Sequence, residues 1–246
     1  MRSNQKHVIV TGGSRGIGKA IATVLVKCGY AVTTVAKNLE ELHSASSELS
    51  RIGTNAFRPL DLTDRDAIKA FAGSWKEPLY GIVNNAGMWG DERIDEPDTG
   101  LHDRIMRLNV DGVLFLTKAF MPHLADNGRI VNISSQLGLS GREAMGSYSA
   151  SKHAVLGFTK SWAYELGHRG ITVNAVCPGW VDTESNFVEL REIAKERGIT
   201  LEALVAEISE PYALKRFVTQ EEVANVVAFF MSEEASGVTG GYIGVL

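Results

Sequence analysis

The sequence predicts an α/β fold, a doubly wound parallel sheet of about seven strands with helices on both faces. Three observations predict it. Short β-branched runs alternate with longer amphipathic stretches from residue 7 to residue 177, the pattern of βαβ units around a buried parallel sheet. The chain has 246 residues, 44% hydrophobic and 22% charged, values that exclude a disordered or fibrous protein. A glycine-dense turn, Thr11-Gly12-Gly13-Ser14-Arg15-Gly16-Ile17-Gly18, joins the first strand run to the first helical stretch. Length alone allows one large domain or two small ones. No linker, repeat or low-complexity tract breaks the alternation, so residues 1-246 read as a single domain.

Strands are expected at His7–Thr11, Ala31–Ala36, Asn55–Pro59, Gly81–Asn84, Arg129–Ser134 and Thr172–Cys177, each a short apolar run. Between them the longer amphipathic stretches predict helices over Gly16–Cys28, Leu39–Ile52, Asp64–Trp75, Thr99–Leu124 and Tyr148–Gly167. Past Val181 the rhythm changes. Ser185 to Glu210 is charged and helical in period, with a break at Gly198-Ile199-Thr200, where Thr200 can cap the second part. Ligands bind at the C-terminal edge of open α/β sheets, which makes 185–210 a candidate substrate lid; two packed surface helices are an equal alternative. A last helix spans Gln220 to Met231, with Thr219 and Glu222 spaced as a capping box. Gly240 to Leu246 reads as a final strand.

Lys+Arg is 25 and Asp+Glu is 29, a formal charge of -4. That balance argues against nucleic acid as the main partner and leaves room for a local basic pocket. Cys28 and Cys177 are the two cysteines. They make neither a disulfide framework nor a zinc site, and they point to a reducing compartment. Cys177 reads as a buried strand residue. His43, His102, His123, His153 and His168 show no metal-ligand spacing. Met1 to His7 is polar without a signal-like apolar core. The longest apolar stretches, such as Val226 to Met231, are too short to span a bilayer. A cytoplasmic protein with no membrane partner and no metal is expected.

The glycine turn is the first functional signal. Glycines let the backbone approach a pyrophosphate, and the following helix aims its N-terminal N–H groups and dipole at the anion. The spacing, Gly12 then Gly16 then Gly18 after Thr11, resembles the cofactor turn of the short-chain dehydrogenases/reductases of the classical type. The resemblance runs the whole chain: Asp61-Leu62, Asn84-Asn85-Ala86-Gly87, Asn109, Ser134-Ser135, Tyr148-Ser-Ala-Ser-Lys152, Pro178-Gly179 and Thr183 occur in order. It implies a Rossmann-type fold and an oxidoreductase moving hydride between NAD(P) and a carbonyl or alcohol. It also implies that Gly12, Ser14, Arg15, Gly16, Ile17 and Gly18 hold the pyrophosphate side of the cofactor. Asp61 would meet the adenine amino group with Leu62 beside it. Asn85, Ala86 and Gly87 would lie along the cofactor, Asn84 tying strands instead. Pro178, Gly179, the Val181 backbone and Thr183 would hold the carboxamide end.

The residue ending the second strand bears on NAD against NADP, because a carboxylate there binds the ribose hydroxyls and repels a 2′-phosphate. Here the strand ends Val35-Ala36-Lys37-Asn38, and Arg15 sits in the glycine turn. Two cations suit a 2′-phosphate, and Arg15 can bind it bidentately. NADP(H) is the expected preference, with NAD(H) the alternative.

Tyr148 and Lys152 stand four apart, so a helix puts both on one face. A phenol titrates near pH ~10 and is a poor base at neutrality, but a nearby ammonium favours phenolate. The expectation is a proton-transfer pair, in which Tyr148 donates to the carbonyl oxygen during reduction. The resemblance adds that Lys152 binds the nicotinamide ribose and that Ser135 hydrogen-bonds the substrate oxygen. It adds also that Asn109 holds a water in a relay to Lys152. Ser134 is the second choice for the serine. Trp89 and Trp180 fall in loops above the nicotinamide, as do Gln136 and Met145. Gln136, Trp89 and Trp180 are expected to contact substrate, the tryptophans as an apolar wall.

The resemblance fails at the tail. Val238 to Leu246 lacks the Asp-Gly-Gly of the family pattern, in a region that packs at a subunit interface. The stretches Thr99–Leu124 and Tyr148–Gly167 resemble those of the other family interface, so a homodimer or homotetramer is expected. A cofactor-binding regulator without turnover is the rival from another class; Tyr148 and Lys152 together argue against it.

Overall fold

The computed structural model describes residues 5–246. Met1–Asn4, part of the polar stretch before the first strand, lie outside the described residues. Seven strands among them form one parallel sheet in the order β3-β2-β1-β4-β5-β6-β7. They are β1 His7–Thr11, β2 Ala31–Ala36, β3 Asn55–Pro59, β4 Leu79–Asn84, β5 Leu124–Ile133, β6 Thr172–Pro178 and β7 Tyr242–Val245. The order reverses between β1 and β4, which opens a crevice at the C-terminal strand ends.

Each central strand is apolar on both faces because helices cover both. Val8 and Val10 pack to one side with Ile21 and Leu25 of α1 (Gly16–Lys27) and with Val223, Val227 and Phe230 of α9 (Gln220–Met231). Ile9, between them, turns to the other side. There it joins Ile68 and Phe71 of α3 (Arg65–Ser74), Leu116 and Phe120 of α5 (Val113–Phe120), and Ala163 of α6 (Gly146–Leu166).

Helix starts follow their caps. Asn38 accepts from the Glu40 and Glu41 N–H groups at the head of α2 (Leu39–Leu49), and Asp64 does the same for α3. The Thr219/Glu222 capping box forms in both directions, at 3.1 Å and 2.7 Å. The Ser185–Glu210 stretch is two helices, α7 (Glu184–Arg197) and α8 (Leu201–Ser209), divided at Gly198 and capped at Thr200. They close a small core of their own, Leu190, Ala194, Leu204 and Phe217, against which Trp180 packs.

Thr99–Leu124 is helical over 101–120, with a π segment in the middle. α4 (Leu101–Met106) runs into a π turn over Arg107–Gly112 before α5, and Leu124 belongs to β5. A wider turn accommodates Gly112 against Leu62, where a Cβ would stand 3.3 Å from both the Leu62 Cβ and its carbonyl oxygen. β4 starts at Leu79, earlier than expected, because Leu79 pairs with Leu124 before the register jumps to Gly81 opposite Arg129. Among the described residues no helix is long and apolar enough to cross a membrane.

Candidate active site

A cleft of about 1120 Å³ follows the C-terminal strand ends from the glycine turn to α7. That exceeds the usual volume of a pocket for one small molecule, about 300–1,000 Å³, and leaves room for a dinucleotide and a guest. Every residue singled out in the sequence as a cofactor or substrate contact lines it, from Gly12 to Thr183. Asn109 does not; it is buried behind the wall.

The turn after β1 is built for close approach. A Cβ on Gly18 would lie 2.1 Å from the Gly12 carbonyl oxygen, so only glycine lets α1 start there. Gly16 has φ +55, and a Cβ on it would point into the cleft, with Thr183 Cγ2 nearest at 3.9 Å. No side chain caps α1. Its first N–H groups face the cleft with the positive end of the helix dipole, the donor set a pyrophosphate requires. The residues therefore fit a dinucleotide. Asn85 supports this turn more than it reaches into the cleft: its Nδ2 donates to the Thr11 carbonyl at 2.8 Å, and its backbone N–H donates to Thr11 Oγ1. Asn84 ties strands, donating to Thr117 Oγ1 and Asn132 Oδ1.

Both cations expected at the ribose end have acidic neighbours. Lys37, with its side chain 80% exposed, pairs with Asp61 at 2.9 Å. That bond, with help from Thr63, holds the Asp61 carboxyl at about 2. Arg15 Nε stands 3.9 Å from Glu41, whose Oε2 also accepts from the Ser14 hydroxyl at 2.9 Å. Glu41 was invisible to sequence reasoning because an acid in the first turn of a helix reads as a dipole partner.

At the end of the cleft away from the glycine turn two elements converge. β5 delivers Ser134 and Ser135, and α6 delivers Tyr148 and Lys152. Ser134 is buried and donates to the Lys152 carbonyl at 2.9 Å, so it locks α6 to β5. Ser135 lines the cleft beside Tyr148, and its hydroxyl oxygen accepts from the Leu137 N–H at 3.1 Å. Lys152 is 5% exposed, donates to the Ile133 carbonyl at 2.9 Å, and places Nζ 5.6 Å from the centre of the Tyr148 ring.

The proton affinities differ from the sequence expectation. Burial raises the Tyr148 phenol, and only the neighbouring Ser135 hydroxyl works against it. Burial also lowers the Lys152 amine to about 8. A low-dielectric site disfavours phenolate and ammonium alike, so in the chain itself the amine does not acidify the phenol.

Asn109 sits in the π turn and clamps the loop after β4. Its Nδ2 donates to the Met88 carbonyl at 2.8 Å and to Ser151 Oγ, and its Oδ1 accepts from the Met88 N–H. Asn109 Oδ1 and Lys152 Nζ flank Gly87, lying 3.2 Å and 3.4 Å from where a Cβ would be. Both Nδ2 hydrogens of the carboxamide are thus engaged, while its oxygen accepts one bond.

The guest end is walled by Trp89, Met145, Gln136 and Trp180. Trp180 stacks on Phe217 at 5.4 Å and carries the Arg142 guanidinium 5.5 Å from its ring centre. Gln136 accepts from the Tyr212 hydroxyl at 2.7 Å. Thr183 caps α7, and the Val181 carbonyl accepts from the Thr183 N–H and from Asn186. Arg142, Glu189 and Tyr212 were not found from the sequence; nothing in their local pattern distinguishes them from surface residues. Cys177 is fully buried, and burial raises its thiol.

A Rossmann-type sheet, an uncapped helix over a glycine turn and a Ser–Tyr pair beside a buried lysine define a dinucleotide-dependent oxidoreductase. Comparison with known proteins makes the class specific. Residues 6–192 match the family model for short chain dehydrogenase. The 3-oxoacyl-[acyl-carrier-protein] reductase of Thermotoga maritima is 36% identical over 255 residues, covering 100% of this chain and 98% of that protein. The D-beta-hydroxybutyrate dehydrogenase of Rhizobium meliloti is 30% identical, covering 97% and 96%. Among solved structures, a mutant actinorhodin polyketide ketoreductase with NADPH has a TM-score of 0.90 at 34% identity, covering 98% of this chain and 95% of that one. The chain belongs to the short-chain dehydrogenase family and is an NAD(P)-dependent oxidoreductase acting on carbonyl and alcohol groups.

Proposed function

We propose that this protein reduces a ketone or aldehyde to the alcohol, reversibly, with NADP(H) as the preferred cofactor. The observation that carries the reading is the meeting of Tyr148 and Ser135 at the cleft wall, with the buried Lys152 amine beside the Tyr148 ring and the glycine turn at the other end of the same cleft. Gly12 to Gly18 hold the pyrophosphate, Val181 and Thr183 the carboxamide, and Lys152 the ribose. When bound, the reduced cofactor supplies hydride to the carbonyl carbon. Ser135 orients the carbonyl oxygen and stabilises charge on it. Tyr148 donates the proton. Its raised pKa keeps it protonated at neutral pH, which suits reduction more than oxidation. Lys152 then returns a proton to the phenolate. Asn109 positions the loop after β4 through Met88 and holds a water in the relay from Lys152 to solvent.

Arg15 and Lys37 support NADP(H), as does the NADPH named with the polyketide ketoreductase. A second reading, NAD(H), is favoured by one observation: Glu41 and Asp61 already engage both cations. Residues 185–210 serve as the substrate lid, since Ser185, Asn186 and Glu189 line the cleft. The protein works as a homodimer or homotetramer in the cytoplasm. The stacked Phe158 and Trp162 and the nearly fully exposed Tyr164 on α6 support one interface, and the exposed Tyr242 and Ile243 on β7 support another.

The test is Tyr148→Phe, assayed on a panel of ketones and aldehydes with both reduced cofactors. Turnover is expected to fall by about 10²–10⁴-fold, the usual worth of a general acid, with cofactor affinity kept within about threefold. Wild-type turnover that survives in the variant would refute the assignment.

A further inference from the structure

One hydrogen bond at the guest end joins two segments far apart in the chain. Tyr212 stands in the turn that leaves α8, where its N–H donates to the Ser209 carbonyl at 3.0 Å. Its hydroxyl donates to Gln136 Oε1 at 2.7 Å. Gln136 directly follows Ser135 and opens a short 3₁₀ turn over Gln136–Gly138. Both side chains line the cleft, and both are half-buried. They lie over Gly179, another lining residue. A Cβ there would stand 3.3 Å from Tyr212 Cε1 and 3.5 Å from Gln136 Oε1.

A primary amide has one accepting oxygen and two N–H donors. With the oxygen turned to Tyr212, the donors of Gln136 are left. Nε2 donates to no group among the described residues, and it is not closed off from solvent. The orientation has a physical reason. Burial raises the Tyr212 phenol while the Arg142 charge pulls it down. A positive charge beside a phenol makes it a better donor and a poorer acceptor. The hydroxyl therefore gives its proton to the amide oxygen, and the amide keeps its N–H side for the guest. A guest that displaces water from those donors and offers no acceptor leaves them unpaired, which costs about 1–3 kcal/mol. A site built to hydrogen-bond one group of a substrate rejects the analogue that lacks it.

We propose that Tyr212 is a positioning residue that fixes the Gln136 amide, and that Gln136 thereby selects ketones carrying a second, accepting oxygen a few bonds from the reacting carbonyl. The inference rests on the carbonyl-reductase reading and names its substrate class, oxygen-bearing ketones over plain alkyl ketones. Gln136 makes no covalent contribution; it binds the second oxygen while Ser135 and Tyr148 hold the first.

The experiment uses a straight-chain 2-alkanone and the two ketones made from it by putting an ether oxygen in place of the third or the fourth carbon beyond the carbonyl. The full chain is assayed with either reduced cofactor. An ether oxygen accepts and cannot donate, so it reads the N–H side of the amide, and at that distance it leaves the carbonyl's own reactivity alone. In the wild type at least one ether ketone should exceed the alkanone by about tenfold or more in kcat/KM. Gln136→Glu keeps the acceptor for Tyr212 and removes the donors. It should bring that ratio to about one or below, chiefly through KM. Tyr212→Phe keeps the ring and removes only the bond. It should lower the ratio at least about threefold, and adding it to Gln136→Glu should lower the ratio no further. Each ratio is taken within one variant, so partial loss of folded protein cancels. A wild type without an ether preference, a preference that survives Gln136→Glu, or a Tyr212→Phe ratio equal to the wild type's would each overturn the inference while leaving carbonyl reduction intact. Absence of turnover with all three ketones and across the wider carbonyl panel would overturn the reductase reading, and this inference with it.

Discussion

Replacing Lys152 by methionine should stabilise the cofactor-free protein at neutral pH while destroying its activity. The Lys152 amine falls from its ordinary 10.5 to about 8 because it is buried. At about 1.4 kcal/mol per tenfold change in proton affinity, the buried ammonium costs the fold about 3 kcal/mol near pH 7. Methionine keeps the stem volume and removes the charge. It also removes the bond to the Ile133 carbonyl, 2.9 Å long, worth about 1–2 kcal/mol. The net gain is about 1–2 kcal/mol, or about 2–6 °C in Tm for a chain of this size. The pH dependence follows from proton counting. Between about 8 and 10.5 the unfolded chain binds more protons at this lysine than the folded one, so wild-type stability rises with pH across that window. Below it both states are protonated and the full penalty applies; above it the penalty is gone. The methionine variant lacks this rise. Its advantage should therefore be greatest near pH 7 and shrink or invert toward pH 10. Thermal or denaturant unfolding of both proteins at the two pH values reads the difference, with other titrating groups cancelling to first order. An advantage that stays constant, or grows with pH, would refute the claim that the site holds its lysine at an energetic cost. The trade is the usual one between a strained functional group and stability.

Two further outcomes follow from the cofactor end. Gly18→Ala puts a Cβ 2.1 Å from the Gly12 carbonyl oxygen and 2.5 Å from Asn85 Nδ2. Backbone cannot swing aside, so about 3 kcal/mol of stability and most of the affinity for a reduced cofactor should be lost; fluorescence titration with wild-type affinity would contradict this. Glu41→Gln removes the acid that holds Ser14 and faces Arg15, so the ratio of kcat/KM with NADPH to that with NADH should rise about five- to twentyfold, less at high salt. An unchanged ratio would mean that Glu41 does not oppose a 2′-phosphate.

Much of the scaffold was readable because its signals are local. β1 and β2 have the expected limits, since a parallel strand buried on both faces is a nearly continuous run of apolar and β-branched residues; the more exposed edge strand β3 also has its expected limits. The caps at Thr200 and Thr219 formed where Thr and the Thr/Glu spacing put them. The helix expected over Thr99–Leu124 forms over 101–120, but with a π segment in its middle that periodicity did not show, where Gly112 lies against Leu62 of the β3–α3 turn. Periodicity records which residues are apolar; it carries no record of how closely a distant backbone approaches.

The same division holds at the site. The order of glycines, serines, tyrosine and lysine determined, by itself, which side chains meet at the C-terminal edge, because the βα connection rules leave them one crevice. Tertiary structure alone decided the state of each group. It turned the Ser134 hydroxyl onto the Lys152 carbonyl and engaged the Asn109 carboxamide with Met88. It set the phenol high and the amine low, and placed Glu41 and Glu189 against the cleft. Those properties depend on burial and on charges that are far apart in the chain. Desolvation and Coulomb energy are functions of position in space, and residue order determines them only through the completed fold.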